Sequence, residues 1–265
     1  DWDAQLTGVQ TPKLELPRLS LAGRWRAPEL SLTRLDAALF DGTLQSAGSL
    51  NIATREARLA GAIDFDPHRI GPWLNASGQH QLNQLVWDKP PLIKAAAAVV
   101  LPATVWTNAR VDWQREVLPK LKLAGNLQTG RGAFRDVPYL AVQTDFTLTN
   151  ALLRLPNLVI ERPEGRAALD YSSDVLTSDY HLRFDSHLDP KAIRPLLADE
   201  AGRKVLDYFE FTETPFIRGE VRGRWNAAEL TGGHARLAFT NFTFRGAAWS
   251  SFTAWAQYTN QVIQA

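Results

Sequence analysis

The chain has 265 residues, enough for one large domain or two ordinary ones, and 45% of them are hydrophobic, which is typical of a folded protein. Its 29 basic residues are nearly balanced by 28 acidic residues and form no basic run, so nucleic acid is not expected as a partner. Without any Cys, the chain can form neither disulfide bonds nor thiolate metal sites.

The start of the chain and its longest apolar run bear on membrane attachment. The sequence contains no Met and starts at Asp1, so we expect a fragment of a longer protein or a processed product. The longest apolar run, 95–106, is interrupted by Pro102 and Thr104 and is shorter than the roughly 20 residues that span a bilayer. Any membrane anchor is therefore expected outside this chain.

Strands are predicted wherever apolar and polar residues alternate, because a period of two places one set on a single face of a sheet. Hairpin turns are predicted at 41–42, 149–150 and 259–260, where Asp-Gly and Thr-Asn steps tolerate the left-handed backbone of a tight turn. The clearest alternation predicts one-faced strands whose apolar residues include Leu59, Ile63 and Phe65, then Leu140, Val142, Phe146 and Leu148, then Tyr180, Leu182 and Phe184.

Helices are predicted to be few. Asp66 and Asp189 each precede a Pro, the pattern of an N-cap followed by the first residue of a helix, so a short helix is expected after each. A longer helix is predicted over 200–209. The alanine-rich segment 95–101 has helical propensity, but its counterpart in the repeat described next, 219–225, contains two glycines, so both are predicted to be strands.

Three motifs occur twice in the same order, which predicts a repeat of about 110 to 125 residues. One motif shares Asp, Pro, Ile, Pro and Leu between its copies, and another begins Phe-Arg and precedes a Thr-Asn step at the same distance in both copies. The paired segments are 66–74 with 189–197, 91–94 with 215–218, and 134–139 with 244–249. We predict one continuous array over 1–265, with approximate repeats 20–137, 138–247 and a truncated 248–265.

Residues that could carry chemistry are better explained structurally. Asp185, His187 and Asp189 have a spacing that could hold a metal, but Asp189 is already accounted for as a helix cap. The chain shows neither a paired-carboxylate signature nor the Gly-x-Ser-x-Gly motif that positions a nucleophile. We therefore predict no catalytic residue, no metal and no cofactor. The Trp residues near predicted strand ends are interpreted as core packing, with a carbohydrate-stacking platform as the alternative.

The one-faced strands determine the expected fold. Each apolar face must be covered, and two or three short helices are too few to cover a dozen strands. We predict a mainly β fold, an elongated, curved antiparallel β-sheet that forms a repeating β-groove with a few short helices. A β-sandwich is the alternative.

Several of these segments resemble the AsmA-like and TamB-like proteins. The resemblance rests on Phe244-Arg245-Gly246 followed by a strand, on 39–44, and on the two Asp-Pro-x-x-Ile-x-Pro-x-Leu segments, and it spans nearly the whole chain. It implies a long β-groove that carries phospholipid between the inner and outer membranes of the Gram-negative envelope, without catalytic residues. It also implies a periplasmic location and an N-terminal membrane anchor, which we expect outside this chain.

Two functions follow as hypotheses. The first is conduction of phospholipid acyl chains along the groove, and the second is a structural or assembly role in outer-membrane biogenesis without lipid transport. A carbohydrate-binding β protein is a third. For the first hypothesis, the predicted groove-lining residues are Leu59, Ile63, Phe65, Leu140, Val142, Phe146, Leu148, Tyr180, Leu182 and Phe184. The sequence indicates no particular protein partner.

Overall fold

The computed structural model describes residues 1–11, 14–74, 76–107, 111–196, 200–225, 227–259 and 262–264. Strands make up 65% of the structure and helices 15%, which confirms the predicted mainly β fold with few short helices. Fifteen strands follow one another in an antiparallel sheet that does not close on itself. A second sheet in the described residues has three strands.

The strands have the following bounds in chain order: β1 (Trp2–Thr11), β2 (Leu14–Arg26), β3 (Glu29–Leu39), β4 (Gly42–Asn51), β5 (Glu56–Ile63), β6 (Leu85–Trp87), β7 (Leu92–Val100), β8 (Lys122–Thr129), β9 (Gly132–Phe134), β10 (Val137–Tyr139), β11 (Ala141–Thr149), β12 (Leu152–Arg162), β13 (Gly165–Asp174), β14 (Asp179–His187), β15 (Phe209–Phe211), β16 (Phe216–Arg224), β17 (Ala227–Phe244), β18 (Ala247–Thr259) and β19 (Val262–Gln264).

The α-helices are α1 (Ala76–Leu82) and α2 (Glu200–Asp207). Short 3-10 segments occupy Pro67–Trp73, Ala103–Trp106, Leu118–Lys120 and Pro190–Leu196, and one π turn occupies Trp113–Val117. The predicted segments 95–101 and 219–225 lie largely in strands β7 and β16, so the repeat corrected the helical propensity of the alanines.

The chain divides into two compact units. Unit 1 comprises Asp1–Asn83, Lys89–Thr129 and Asp145–Leu153, and unit 2 comprises Gln84–Asp88, Gly130–Thr144 and Arg154–Ala265. In unit 1 the antiparallel neighbours run in the order β1-β2-β3-β4-β5-β7-β8. In unit 2 they run β13-β14-β16-β17-β18-β19, with β15 paired to β17 and a small sheet β10-β9-β6.

Both predicted N-caps begin helical segments. A carboxylate oxygen of Asp66 accepts a hydrogen bond from the backbone N–H of His68 at 3.0 Å, and Asp189 accepts one from Lys191 at 2.9 Å. Each helical segment is a 3-10 helix with a second proline near its end, Pro72 or Pro195. Proline lacks the N–H that an α-helical bond requires, so the segments stay short.

Hairpin turns lie one residue away from their predicted positions. The turn between β3 and β4 consists of Phe40 and Asp41, with φ of 54° and 61°, and Gly42 is the first residue of β4. A Cβ on Gly42 would lie 2.7 Å from the Cα of Phe65, so the glycine permits close packing there. Asn150 and Ala151 form the corresponding turn after β11. Of the third predicted turn, Asn260 lies outside the described residues.

The repeated Phe-Arg motif is a two-residue hairpin with the same hydrogen bonds in both copies. The turn pairs 135–136 and 245–246 have positive φ at both residues, as a type I′ turn requires. The N–H of Arg135 donates to the carbonyl of Gln84 at 2.8 Å, and the N–H of Arg245 donates to the carbonyl of Tyr208 at 2.9 Å. Both copies lie in unit 2, and the repeat boundaries stay predictions.

Candidate functional site: the apolar sheet faces

The strand register of unit 1 separates apolar from polar side chains. Residues that pair directly across an antiparallel sheet lie on the same face. We call one side of this sheet the unit 1 apolar face. Three of its transverse rows are Ala37-Leu44-Ile63-Ile93-Leu127, Leu32-Gly48-Leu59-Ala97-Leu123 and Leu30-Leu50-Ala57-Val99. Another row includes Ser46, so the face is apolar with an occasional small hydroxyl.

The opposite side of the same strands is polar. Two of its rows are Asp36-Gln45-Ala62-Lys94-Asn126 and Ser31-Ser49-Arg58-Ala98-Lys122. Charged residues occur here in every strand from β1 to β8 of unit 1 except β4. The segregation follows from the alternation in the sequence, because a period of two sends every second side chain to the same side.

Unit 2 has the same division. Its apolar face, which we call the unit 2 apolar face, contains the rows Leu169-Phe184-Gly219-Ala235-Ala256, Tyr171-Leu182-Val221-Gly233-Tyr258 and Ala167-Ser186-Ile217-Leu237-Ala254. Its polar face contains the rows Ala168-Asp185-Arg218-Arg236-Trp255 and Asp170-Arg183-Glu220-His234-Gln257.

The apolar faces are half-buried and not sealed. Most of their side chains have intermediate exposure, and Leu59 on β5 is 53% exposed. A closed core is confined to smaller places, such as the cluster of Ala37, Leu39 and Phe65 in unit 1. Contiguous apolar surface that is left partly exposed marks a site of interaction with an apolar partner.

Glycines lie beneath the large side chains of both apolar faces. A Cβ on Gly219 would lie 2.8 Å from the ring of Phe184, and one on Gly125 would lie 2.6 Å from the ring of Phe146. Trp2 lies over Gly23, Leu59 over Gly48 and Tyr180 over Gly223 in the same way. Each large side chain therefore lies across the backbone of the adjacent strand, which no residue with a Cβ would allow without a shift.

The structure places eight of the ten predicted groove residues on the apolar side of their strands, five of them by cross-strand register. Leu59 and Ile63 belong to the unit 1 apolar face, and Tyr180, Leu182 and Phe184 belong to the unit 2 apolar face. Phe146 lies over Gly125 of unit 1. Leu148 shares the strand parity of Phe146 and is half-buried.

The eighth is Val142, and the remaining two predicted residues have different surroundings. Val142 has the parity of Phe146 in β11 and is half-buried. Leu140 precedes β11, is 38% exposed and donates its N–H to the carbonyl of Glu161. Phe65 follows the end of β5, is 5% exposed, and packs edge-on against the Phe40 ring at 5.5 Å between centroids. Phe65 is thus part of a closed core and is not available to a ligand.

Sequence reasoning missed the part of the unit 1 apolar face that β2, β3, β7 and β8 provide. The alternation in β3 changes phase, because a β-bulge between Leu32 and Leu35 inserts a residue into the ladder. A similar irregularity lies between Ala22 and Gly23 of β2. In β7 the alanines occupy both faces, so no alternation can be read there. The glycines opposite Phe and Leu were a usable signal, since glycine in a strand often marks a close approach.

Asp185, His187 and Asp189, whose spacing could hold a metal, make other contacts. The Asp185 carboxylate accepts two hydrogen bonds from Arg218, at 2.5 and 2.8 Å, and the His187 ring lies 4.8 Å from the Phe216 ring. Asp189 caps the 3-10 segment that follows it. Within the described residues, no three His, Asp or Glu side chains come together closely enough to hold a metal ion. The same residues contain no helix with the length and apolar character needed to cross a membrane.

Ion pairs organise the polar face of unit 2. Arg224 Nε lies 2.7 Å from Asp179, and Glu220 lies between His181 at 2.9 Å and Arg183 at 3.2 Å. The hydrogen bond from Arg224 lowers the pKa of Asp179, and the hydrogen bond from His181 lowers the pKa of Glu220. The lowered pKa favours the ionised form of both carboxylates, which does not suit them to donating a proton.

Fold and site together define an open antiparallel β protein with one apolar and one charged sheet face in each unit. Comparisons with protein-family models, with curated proteins and with solved structures find no match for this chain.

Proposed function

We propose that the two apolar faces bind the acyl chains of phospholipid. In this proposal the chain is part of a non-enzymatic protein of the Gram-negative envelope that carries phospholipid between the inner and outer membranes or supports outer-membrane biogenesis. It is periplasmic, and the protein attaches to a membrane through a segment outside this chain. The motifs shared with the AsmA-like and TamB-like proteins support this assignment.

The observation that carries the proposal is the cross-strand register. In each unit it gathers apolar side chains and glycine on one face while charged side chains take the other. Such a face gives an acyl chain apolar contact without requiring any specific polar group. Each methylene moved out of water contributes about 0.8 kcal/mol, so a chain of ordinary length gains useful affinity from contact area alone.

The position of the aromatic rings on these faces is also compatible with an acyl chain. Phe184 and Phe146 occupy the space that a Cβ on Gly219 or Gly125 of the adjacent strand would fill. An acyl chain can therefore lie against the sheet without an aromatic ring obstructing it.

Lipid extraction from the purified protein, followed by mass spectrometry, tests the proposal. We expect phospholipid to co-purify with the protein. Leu59→Asp places a charge on the unit 1 apolar face and should reduce the bound lipid several-fold, because the charge must be desolvated beneath the acyl chain. The matched control is Ala60→Asp, the next residue of β5, which is also exposed but lies on the polar face.

A second set of variants repeats the comparison in the full-length protein. Val142→Glu and Phe184→Asp are the apolar-face variants, and Gln143→Glu is the control. Crosslinking to a photoreactive lipid and outer-membrane integrity are measured for each. The proposal fails if the folded apolar-face variants retain as much lipid as their controls. Lipid loss without an effect on the membrane would favour a structural or assembly role over conduction.

A further inference from the structure

The polar face of unit 2 contains an open cavity of about 540 Å³ beside Trp255. A second cavity of about 460 Å³ adjoins it and shares Glu220, His234 and Trp255 with the first. Volumes of this order are typical of small-molecule sites. Most residues that line the two cavities belong to the polar face, although Leu169, Phe184 and Gly219 of an apolar row also line the first. The polar and charged lining is not what an acyl chain requires.

Of two directly opposed arginines in this cavity, one has no carboxylate partner. Arg218 and Arg236 are cross-strand partners on β16 and β17, and like charges in that position destabilise a sheet. Asp185 holds Arg218 with two hydrogen bonds. Arg236 has no hydrogen-bond or ion-pair partner among the described residues. A bound anion would neutralise Arg236 and relieve the repulsion.

Trp255 provides an aromatic surface directly beside this arginine. It is the cross-strand partner of Arg236 on β18 and is 53% exposed, although it lies on the charged face. Its ring contacts no other aromatic ring and no cation in the described part of the chain. An exposed indole is well suited to packing against the C–H face of a sugar ring, with polar groups around it.

The remaining groups supply both donors and acceptors. Glu220, His234 and Gln257 form the neighbouring transverse row, and Asp170 and Arg183 continue it. Sugar hydroxyls donate and accept, so a mixed lining fits them. The three lining carboxylates, Asp170, Asp185 and Glu220, would repel a polyanion such as a nucleic acid.

We propose that the polar face of unit 2 is a second binding site, for a saccharide that carries one anionic group. The sugar ring stacks on Trp255, its carboxylate or phosphate pairs with Arg236, and its hydroxyls bond to the row that contains Glu220, His234 and Gln257. The site lies on the opposite sheet face from the proposed lipid site, and neither requires the other.

The site can be tested by titrating the full chain with glucuronic acid, glucose and inorganic phosphate. Binding is measured by calorimetry and by saturation-transfer NMR. We expect glucuronic acid to bind at least tenfold more tightly than glucose. Trp255→Ala should weaken the binding of glucuronic acid at least tenfold. Arg236→Gln should bind glucuronic acid no more tightly than glucose. Trp106→Ala, which removes an indole that is 51% exposed in unit 1, should leave binding unchanged.

Three results would overturn the proposal: no binding of glucuronic acid, equal binding by Trp255→Ala, or phosphate binding as tightly as glucuronic acid, which would indicate an anion site only. If Trp255→Ala does not fold, Trp255→Phe keeps a smaller ring and should bind glucuronic acid with reduced affinity. Co-purified lipid should be the same in Trp255→Ala and wild type, so this test and the lipid test fail independently.

Discussion

Single residues on the apolar faces are matched to the backbone beneath them. Gly219 is buried, and a Cβ at this position would lie 2.8 Å from both the Phe184 ring and the carbonyl oxygen of His234. One of these contacts is with backbone, which cannot rotate away. The glycine and the aromatic residue therefore act as a pair, and a substitution at either position affects the other.

Gly219→Ala should lower the free energy of unfolding by about 1–3 kcal/mol, the usual cost of forcing atoms into a packed site. Denaturant unfolding measures the change. Gly130→Ala is the control, because nothing lies within 4 Å of a Cβ there and its φ is not positive. Equal stability of the two variants would contradict the close approach of Phe184.

Asp179 makes stability depend on pH. The hydrogen bond from Arg224 lowers its pKa, so the folded state is stabilised above the usual carboxyl pKa and loses this contribution as the pH falls through the lowered value. Asp179→Asn should therefore be less stable than wild type at pH 7. The difference should shrink by pH 3.

Chemical denaturation at a series of pH values checks this expectation. Glu229→Gln is the control, since Glu229 is exposed and has no ion pair among the described residues. A stability difference for Asp179→Asn that persists unchanged at pH 3 would show that the ion pair with Arg224 is not its source.

At the scale of elements, the tight hairpins fix which face each strand presents. A slip of one residue would turn every apolar side chain to the charged face. The turn after β11 has φ of 53° at Asn150 and 63° at Ala151, the left-handed conformation that asparagine and glycine tolerate best. The turn residues therefore determine whether the apolar faces exist.

Asn150→Val should destabilise the protein by about 1–2 kcal/mol, because a β-branched residue is strained at positive φ. Asn150→Gly, at the same site, should stay close to wild type. Thermal unfolding compares the two variants. If Asn150→Val and Asn150→Gly have the same melting temperature, the turn does not have the left-handed geometry described.

The elements that could be predicted from sequence are those with an uninterrupted pattern. β5, β11 and β14 alternate cleanly, and the prolines after Asp66 and Asp189 locate the 3-10 segments that begin there. Elsewhere the alternation misled or was absent, as in alanine-rich β7. At β3 a bulge changes its phase, and at Phe65 the pattern continues after the strand has ended, so a residue expected on the open face is buried. The site near Arg236 depends on the exact register between neighbouring strands, which places Arg218, Arg236 and Trp255 side by side and which one sequence does not reveal.

At the scale of the whole molecule, each unit leaves an apolar face half-exposed, so stability is coupled to whatever covers that face. A ligand that binds the folded state and not the unfolded chain raises the melting temperature by mass action. We expect delipidated protein to melt at a lower temperature than protein reloaded with phospholipid vesicles.

The double variant Leu59→Asp with Phe184→Asp should lose most of that increase, and Ala60→Asp should keep it. Differential scanning calorimetry measures all three proteins with and without vesicles. An equal increase in the double variant would place lipid binding elsewhere on the molecule.

The glycines beneath Phe146, Phe184, Tyr180 and Leu59 have a kinetic consequence. At each of these glycines the adjacent strand adds no Cβ beside the large side chain, so fewer atoms obstruct a long flexible molecule moving along the face. An acyl chain shifting by one methylene exchanges one apolar contact for a nearly equal one. An acyl chain should therefore move along either face faster than the whole lipid molecule is released into water.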